Sequence, residues 1–416
     1  MEELKAGWRR VRLGDVIESI SDTTKIIEDE VVLINTSDVY DGKVLNHQLV
    51  ENKGLKGQFK KRFKYGDILY SEIRPINRRF AKIKFDSTNY LASTKLMILR
   101  KKENALIDEE YIYQLLKSDK IISELQQIAE SRSGTFPQIT FNELKTLEFF
   151  LPSLETQKKI TSILSSLDEK IELNRKINQN LEETAQTLFK RWFIDFEFPN
   201  EEGKPYKSSG GKMIKSELGE IPEGWRSFSL KDIVKQIKPG TNFQPKRLDK
   251  GIPFLNIKNI VNSEIDLNDV KYISEVDYEK VHKTWKPQEK DILISRIGTL
   301  GLVTILKKNK LPIAVHYNFL VIKAKKISSY FLYFLLKSQE FQKKYDSIKK
   351  QSVQEYVTVE DVEEIKVVLP ENLEILYEKY FISFYKEIIK NQDEIYKLKE
   401  LRDYLLPKLM SGEISV

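Results

Sequence analysis

The sequence contains no cysteine, and histidine occurs only 3 times in 416 residues. Without cysteine the chain can form neither disulfides nor thiolate metal sites, and it has no thiol nucleophile. The histidines, His47, His282 and His316, are too far apart in the sequence to suggest a ligand set. The sequence also lacks the GxxxxGK[ST] phosphate loop, the GxGxxG turn and the HExxH zinc motif. These absences leave no obvious active site.

Long apolar runs are absent too, since none approaches the ~18 residues of a membrane span. The initial segment MEELKAGWRR lacks the apolar core of a secretion signal. We therefore expect a cytoplasmic protein that does not enter a membrane. The 416 residues, 40% of them apolar, leave room for two to three domains. Lys and Arg exceed Asp and Glu by 69 to 62, which gives a net charge of +7 and suits a polyanionic partner without requiring one.

The sequence contains two copies of one unit, repeated with a period of about 220 residues. Three segments return in the same order: Gly7-Trp8-Arg9 as Gly224-Trp225-Arg226, Asp67-Ile68-Leu69 as Asp291-Ile292-Leu293, and Leu151-Pro152 as Leu369-Pro370. Such a long period indicates duplicated domains rather than a solenoid of short repeats.

Each unit has the pattern of a mixed domain. Short apolar runs predict buried strands at Val31–Ile34, Ile68–Ser71, Leu96–Leu99, Ile292–Ser295, Leu302–Leu306 and Phe319–Ile322. Asp108 is placed to cap a helix that continues through Leu125, and a second helix is predicted from Ser329 to about Ile348. The fold class is therefore α+β, with two duplicated mixed α/β domains.

Two long helices separate these domains. Apolar residues recur at alternating spacings of four and three between Ile160 and Trp192, after a predicted cap at Ser153. About 38 residues at ~1.5 Å each predict a rod of roughly 57 Å. The pattern returns near the C-terminus with an offset of 217, which makes Asn174 equivalent to Asn391. We predict that the helices pair as an antiparallel coiled coil in which these two asparagines meet and fix the register. The alternative is an ordinary amphipathic helix on each domain.

Basic and amide side chains gather in loops at corresponding points of the two units. Phosphates require cations, and base edges require forked donors or amides, so these loops predict a DNA-binding surface. The candidates are Lys60, Lys61, Arg62, Arg74, Asn77, Arg78, Arg79, Arg132, Thr135 and Gln138 in the first unit, and Lys246, Arg247, Arg296, Thr299, His316 and Asn318 in the second. For any single residue, a solvated surface position is the alternative. Similarly, Gly298–Gly301 could hold a nucleic-acid backbone or form a tight turn between strands.

Several longer segments resemble a known family. They are Leu151-Pro152-Ser153-Leu154-Glu155-Thr156-Gln157, Leu188-Phe189-Lys190-Arg191-Trp192-Phe193, Leu218-Gly219-Glu220-Ile221-Pro222-Glu223-Gly224-Trp225 and Leu405-Leu406-Pro407-Lys408-Leu409-Met410-Ser411-Gly412. Over nearly its whole length the chain resembles the specificity subunit of a type I restriction-modification system. The resemblance implies these boundaries: target recognition domain 1 at 1–151, a central long helix at 152–196, a linker at 197–217, target recognition domain 2 at 218–369, a C-terminal long helix at 370–406 and a tail at 407–416.

The resemblance also implies a function for the whole chain. Each domain would read one half of an asymmetric bipartite target in double-stranded DNA, and the helices would fix the spacer at no more than about 17 base pairs of ~3.4 Å. The first domain has Arg74-Pro75 where the second has Gly298-Thr299, so the two half-sites should differ.

The partners implied by the family are two methyltransferase subunits, which use S-adenosylmethionine and flip an adenine, and restriction or motor subunits that use ATP and Mg. This chain would hold no cofactor and catalyse nothing. Two other classes remain open. An enzyme with a fused recognition module would need catalytic motifs, and a coiled-coil scaffold with solvated basic loops would lack salt-sensitive DNA binding.

Overall fold

The computed structural model describes residues 7–55, 57–131, 136–261, 263–351, 354–372 and 378–416. It divides into two compact units. Unit 1 comprises Met1–Leu173 together with Glu394–Val416, and unit 2 comprises Asn174–Asp393. The division passes through both long helices, so each unit contains one part of each helix.

The first half of the chain contains twelve described strands and five helices. In chain order they are β1 Arg9–Arg12, α1 Leu13–Val16, β2 Ile17–Ile20, β3 Glu30–Ile34, β4 Val39–Tyr40, β5 Lys43–Val44, β6 Leu49–Glu51, β7 Phe59–Lys61, β8 Ile68–Ser71, β9 Phe80–Lys82, β10 Tyr90–Ser93, β11 Leu96–Lys101, α2 Glu109–Leu116, α3 Asp119–Ser131, α4 Phe141–Leu144, β12 Glu148–Leu151 and α5 Leu154–Phe189.

The second half repeats much of this order. Its described elements are β13 Met213–Ser216, β14 Gly219–Pro222, β15 Trp225–Ser229, α6 Leu230–Ile233, β16 Val234–Pro239, β17 Ile252–Leu255, β18 Ile260–Val261, β19 Glu264–Ile265, β20 Lys271–Ile273, α7 Glu275–Val281, β21 Ile292–Ser295, β22 Val303–Ile305, β23 Ala314–Val315, β24 Phe319–Ala324, α8 Ser329–Lys337, α9 Gln339–Ser347, α10 Val359–Glu363, β25 Lys366–Pro370 and α11 Glu378–Met410.

Unit 1 contains two four-stranded sheets, in the orders β2-β11-β8-β9 and β6-β3-β10-β7. All pairs are antiparallel except β3 with β10. Successive side chains of β8 point to opposite faces. Ile68 and Tyr70 join the core that contains α2 and α3, whereas Leu69 joins the core shared with the second sheet. Because both faces are covered, β8 is a continuous apolar run, as the sequence predicted.

Unit 2 repeats this arrangement. Its antiparallel sheet has the order β16-β24-β21-β22, which matches β2-β11-β8-β9 strand for strand, and a second sheet has the order β20-β17-β23. Ile292 and Ile294 of β21 face the helices, and Leu293 faces the other core. In each unit an early strand pairs antiparallel with the strand before a long helix, β1 with β12 and β15 with β25. The predicted α+β duplication is confirmed.

Two predicted helices are each broken in two. The helix expected from Ser329 to Ile348 is interrupted at Ser338, whose ψ of 143° is extended and whose hydroxyl accepts a hydrogen bond from the Phe341 amide at 3.3 Å. A serine that caps a new helix competes with continuation of the old one. In unit 1, α2 and α3 are likewise separate helices. The predicted cap at Asp108 is confirmed by its 3.0 Å bond from the Tyr111 amide.

The Gly- and Ser-rich segment predicted as a linker is folded. Tyr206 stacks on Phe198 with ring centroids 4.6 Å apart, and the Gly211 amide donates to the Tyr206 carbonyl at 2.8 Å. A Cβ on Gly211 would lie 2.4 Å from the Tyr206 ring, so this position requires glycine. The strands β13 and β14 then form an antiparallel hairpin. Glycine here allows close packing rather than flexibility.

In unit 1 the two long helices pack in opposite directions. Lys170 of α5 pairs with Glu394 of α11 at 3.7 Å, and Asp168, earlier in α5, accepts from Arg402, later in α11, at 3.1 Å. Closer to the start of α5, its apolar face shares a core with the end of α11. That core includes Ile160, Leu164, Leu406, Leu409 and Met410.

In unit 2 the helices are also antiparallel, and the predicted asparagine contact is different. Asn391 Nδ2 donates to Asn178 Oδ1 at 2.9 Å, not to Asn174. Asn174 is buried, and its Nδ2 finds no hydrogen-bond partner among the described residues. The predicted partner was wrong by one helical turn, because Asn178 follows Asn174 by four residues on the same face of α5. Beyond this contact, α5 ends in a π-helical turn, Lys190–Ile194.

Candidate nucleic-acid interface

In unit 1 a network of backbone hydrogen bonds fixes the loops that follow β8. The Glu72 amide donates to the Lys95 carbonyl at 3.0 Å, and the Ile139 amide donates to the Glu72 carbonyl at 2.8 Å. Two residues after Glu72, the Arg74 amide donates to the Pro137 carbonyl at 3.0 Å. Three loops that are distant in the sequence therefore meet at one end of the central strand.

Unit 2 has the same network at the end of β21. The Arg296 amide donates to the Asn318 carbonyl at 2.7 Å, and the Val357 amide donates to the Arg296 carbonyl at 3.0 Å. The Gly298 amide donates to the Glu355 carbonyl at 3.2 Å. Each bond has its counterpart in unit 1 at the corresponding residue.

This repeated network, which we call the loop frame, carries different side chains in the two units. The equivalent pairs, unit 1 first, are Glu72 and Arg296, Arg74 and Gly298, Lys95 and Asn318, and Gln138 and Tyr356. The two units share one backbone arrangement, and their different polar side chains present two different patterns of donors and acceptors.

The loop frame of unit 1 is a mixed-charge cluster. Lys95 Nζ lies 3.4 Å from Glu72 Oε2 and 3.4 Å from Gln138 Oε1. Lys95 is largely exposed, whereas Glu72 and Gln138 are half-buried. The cluster thus offers an ammonium donor, a carboxylate acceptor and an amide within one small area.

In the loop frame of unit 2, two polar atoms have no partner among the described residues. They are Arg296 Nε, a donor, and Asn318 Oδ1, an acceptor, and both are buried. Asn318 Nδ2 lies 3.5 Å from Asn256 Oδ1, and the Asn318 amide donates to His316 Nδ1 at 3.4 Å. A buried polar atom without a hydrogen bond costs about 1–3 kcal/mol. A ligand that supplied partners for these groups would recover that loss.

His316 and Arg247 lie beside this group. Arg247 stacks over the Phe254 ring at 4.3 Å, and the His316 ring meets the same phenylalanine edge-on at 5.6 Å. Burial lowers the pKa of His316, and the nearby Arg247 lowers it further. Since Nδ1 accepts a hydrogen bond, the neutral ring carries its proton on Nε2 and presents a donor there.

The Gly298–Gly301 segment forms the turn between β21 and β22. Ser295 Oγ donates to the Thr299 carbonyl at 2.5 Å, and both glycines have a φ of 77°. Of the two interpretations of this segment, the structure shows the tight turn. Thr299 is exposed on it, and Lys246 is exposed elsewhere in unit 2.

Not every predicted cation in unit 1 is available to a ligand. Lys61 donates to the carbonyls of Thr94 and Leu96, each at 2.9 Å, and burial lowers its pKa. It therefore ties β7 to the neighbouring strands. Its neighbour Lys60 is exposed, and Arg62 is half-buried.

The second basic group of unit 1, Arg78 and Arg79, also makes contacts within the domain. Arg78 pairs with Asp41 at 3.2 Å and Asp119 at 2.6 Å, which holds the loop to two other parts of the domain. Arg79 Nη1 donates to Thr36 Oγ1 at 3.3 Å. The predicted cations of unit 1 therefore divide into residues held by other parts of the domain, such as Arg78, and exposed residues, such as Arg74.

Two of the predicted residues, Arg132 and Thr135, lie outside the described residues, and Asn77 is half-buried in the turn beside Arg74. The sequence did not single out Glu72, Lys95, Asn256 or Tyr356. Alignment of the two copies from Asp67 and Asp291 would have placed Glu72 opposite Arg296. In the part of the chain that the structure describes, no group of three or more His, Asp or Glu side chains could hold a metal ion.

The chain thus contains two copies of one domain, which share the backbone of the loop frame and carry different polar side chains. This arrangement defines a protein with two different binding surfaces. The model of the type I restriction modification DNA specificity domain matches residues 5–183 and 222–401, and the chain belongs to this family. It is 32% identical to the type I restriction enzyme HindI specificity subunit of Haemophilus influenzae, over 98% of this chain and 99% of the relative.

Two further proteins are similar. The type I restriction enzyme MjaIX specificity subunit of Methanocaldococcus jannaschii is 33% identical over 74% of this chain and 69% of its own. The S subunit of a type I restriction-modification system from M. genitalium, known from a crystal structure, aligns over 98% of both chains with a TM-score of 0.49 and 18% identity.

Proposed function

We propose that this chain is the DNA sequence-recognition subunit of a type I restriction-modification complex. Each unit reads one half of an asymmetric bipartite target in double-stranded DNA. The observation that carries the proposal is the loop frame, because it repeats one backbone and exchanges the side chains. Two different half-sites require this combination of a common docking geometry and different base-edge contacts.

The predicted loop residues remain our candidates for DNA contact, except Lys61 and Arg78, whose side chains are held by other parts of the domain. The remaining residues divide into two roles. Exposed cations such as Lys60 and Lys246 suit phosphates, which position the protein without reading sequence. The groups of the loop frame, such as Arg296 and Asn318, suit base edges. The supporting observation is their chemistry, since guanidinium and amide groups are the usual partners of purine edges.

We also propose the domain boundaries of the family for this chain. The target recognition domains are 1–151 and 218–369, and the regions that contain the long helices α5 and α11 are 152–196 and 370–406. Residues 197–217 connect the two halves, and the terminal segment 407–416 includes the last turn of α11. The paired helices set the length of the unread spacer. The antiparallel contacts between α5 and α11 within each unit support this role.

The chain is a non-catalytic scaffold in this proposal. Two methyltransferase subunits bring S-adenosylmethionine, and restriction or motor subunits bring ATP and Mg, so the cofactors belong to the partners. The complex works in the cytoplasm. Membership of the specificity family supports the assignment. Separately, no helix among the described residues is long and apolar enough to cross a membrane.

The test is a genome-wide map of methylated adenine in the source organism, with the gene intact and with the gene deleted. A bipartite motif that vanishes on deletion establishes the role and reveals both half-sites and the spacer. If no motif changes in cells whose methyltransferase subunits are expressed, the coiled-coil scaffold becomes the better interpretation. Purified chain with no methyl-transfer or cleavage activity would separate the proposal from a fused enzyme.

A further inference from the structure

Arg74 has a backbone conformation that favours glycine. Its φ of 46° is left-handed, a region in which a side chain crowds its own backbone. At the equivalent place in the loop frame, unit 2 has Gly298 with a φ of 77°. The second copy therefore shows that glycine suits this turn. A left-handed arginine costs stability, so it persists only if its surroundings hold it in place.

The surroundings of Arg74 hold its backbone but not its side chain. Its amide donates to the Pro137 carbonyl at 3.0 Å, and its carbonyl accepts from the Asn77 amide at 2.9 Å. The Ile76 amide donates to Gln126 Oε1 at 3.2 Å. The guanidinium is exposed and has no hydrogen bond or ion pair within the described residues. A rigid turn thus presents a free planar fork of donors.

Arg78, in the same loop, differs from Arg74 in the contacts of its guanidinium. Arg78 is also left-handed, with a φ of 53°, but its guanidinium pairs with Asp41 and Asp119. Those ion pairs give Arg78 a structural reason to be arginine. The contacts of Arg74 give no such reason.

We propose that Arg74 reads a guanine in the half-site of unit 1. This inference rests on the proposed function, that each unit reads DNA. A phosphate contact would serve both units alike, whereas Arg74 is present in only one copy of the frame, as a determinant of one half-site must be. The forked guanidinium matches the O6 and N7 acceptors of guanine in the major groove.

The chain contains a matched control at Lys290. This residue is exposed and left-handed, with a φ of 69°, and its amide donates to the Leu306 carbonyl at 2.9 Å. The equivalent residue of unit 1 is Gly66, with a φ of 89° and a 2.9 Å bond from its amide to Ile83. Lys290 precedes β21, whereas Arg74 follows the equivalent strand β8. Arg74→Gly and Lys290→Gly therefore each remove one positive charge and one left-handed residue other than glycine, at opposite strand ends.

The experiment introduces Arg74→Gly, Arg74→Lys and Lys290→Gly into the chromosomal gene, maps methylated adenine and measures the melting temperature of each purified full chain. We expect both glycine variants to melt at or above the wild-type temperature. Lys290→Gly should keep the wild-type motif. Arg74→Gly and Arg74→Lys should lose discrimination for one G·C pair in one half-site by about tenfold or more, since one bidentate contact supplies that much. The other half-site should stay unchanged and report on folding and assembly.

Three results would overturn the inference. The first is an unchanged motif in Arg74→Gly. The second is a uniform loss of methylation at all targets, which assigns the side chain to phosphate. The third is a melting temperature of Arg74→Gly below that of the wild type, which assigns the side chain to the fold. If deletion of the whole gene changes no motif, the proposed function fails instead, so the two failures are distinguishable.

Discussion

At the scale of single residues, the duplication allows the same ion pair to be compared in two forms. Asp67 is almost fully buried and accepts two hydrogen bonds from Arg100, each at 2.7 Å. Its equivalent, Asp291, is as deeply buried; it accepts a hydrogen bond from the Gln288 amide at 2.9 Å, and its cation, Lys323, lies 3.8 Å away. Burial raises the pKa of Asp291, an effect that the Gln288 hydrogen bond and the distant lysine only partly oppose. Arginine and lysine are not interchangeable at such a site, because only arginine forms the bidentate pair.

We therefore predict opposite consequences for two identical substitutions. Asp67→Asn leaves the Arg100 guanidinium without its partner and should lower the free energy of unfolding by about 3 kcal/mol. Asp291→Asn should be neutral or stabilising at pH 7. The folded-state pKa of Asp291 lies above its unfolded value of 3.8, so its contribution is lost as pH rises through the folded value. Urea unfolding of both variants at pH 7 and near pH 4 measures the difference, and equal losses at pH 7 would contradict the prediction.

The residues of the loop frame show what sequence reasoning reaches and where it stops. Arg296, His316 and Asn318 were predicted as one group because donor side chains recur near one strand, and they do meet. Glu72 was missed because an isolated acidic residue among basic loops carries no signal for DNA binding. Lys61 and Arg78 were grouped with the open cations because their partners, carbonyls of one strand and carboxylates from two distant segments, become visible only in three dimensions.

At the scale of secondary-structure elements, the asparagines of the paired helices have separable roles. Asn178 and Asn391 are joined by a hydrogen bond, so replacing Asn391 by Leu leaves Asn178 Oδ1 without its donor. Asn174 has a buried donor without a partner among the described residues, so replacing it by Leu removes an uncompensated group. A buried asparagine pair such as Asn178 and Asn391 fixes register at some loss of stability. A buried polar group without a partner, such as Asn174 Nδ2, only reduces stability.

The prediction is that Asn174→Leu raises the free energy of unfolding by about 1–2 kcal/mol and leaves the spacer of the methylated motif unchanged. Asn178→Leu combined with Asn391→Leu should leave the chain at least as stable but allow methylation at targets whose spacer differs by a base pair. Chemical unfolding and methylation mapping supply the two measurements. An unaltered spacer in the double variant would remove the asparagine pair from the control of register.

The elements themselves were predicted unevenly. The central strands followed from short apolar runs and both long helices from heptad patterns, because tertiary packing agrees with those patterns. The break at Ser338 was not predicted, because apolar residues continue in helical spacing on both sides of it. The segment before β13 was expected to be a linker. Its packing was not predicted, because the close approach of the Tyr206 ring that requires Gly211 is visible only in three dimensions.

At the scale of the whole molecule, the net charge of +7 makes DNA binding dependent on salt. Neutralising 6–10 phosphates should reduce affinity by about 10³–10⁵ between 50 and 200 mM salt. Lys60→Gln and Lys246→Gln should each reduce the logarithmic salt slope by roughly 1 and leave sequence preference unchanged. Titration of the purified chain with target DNA at several salt concentrations measures this. Binding that ignores salt would favour the scaffold interpretation.

Unit 1 is built from both ends of the sequence, since its helix core needs Leu406, Leu409 and Met410 to cover Ile160 and Leu164. Unit 2 is built from one continuous stretch, 174–393. On the ribosome, unit 2 can therefore complete its core before unit 1, although unit 1 is synthesised first. Until residue 410 emerges, the nascent chain exposes an apolar helix face. Chains that stop before Leu406 would leave this face uncovered, so we expect them to be recognised by chaperones and proteases.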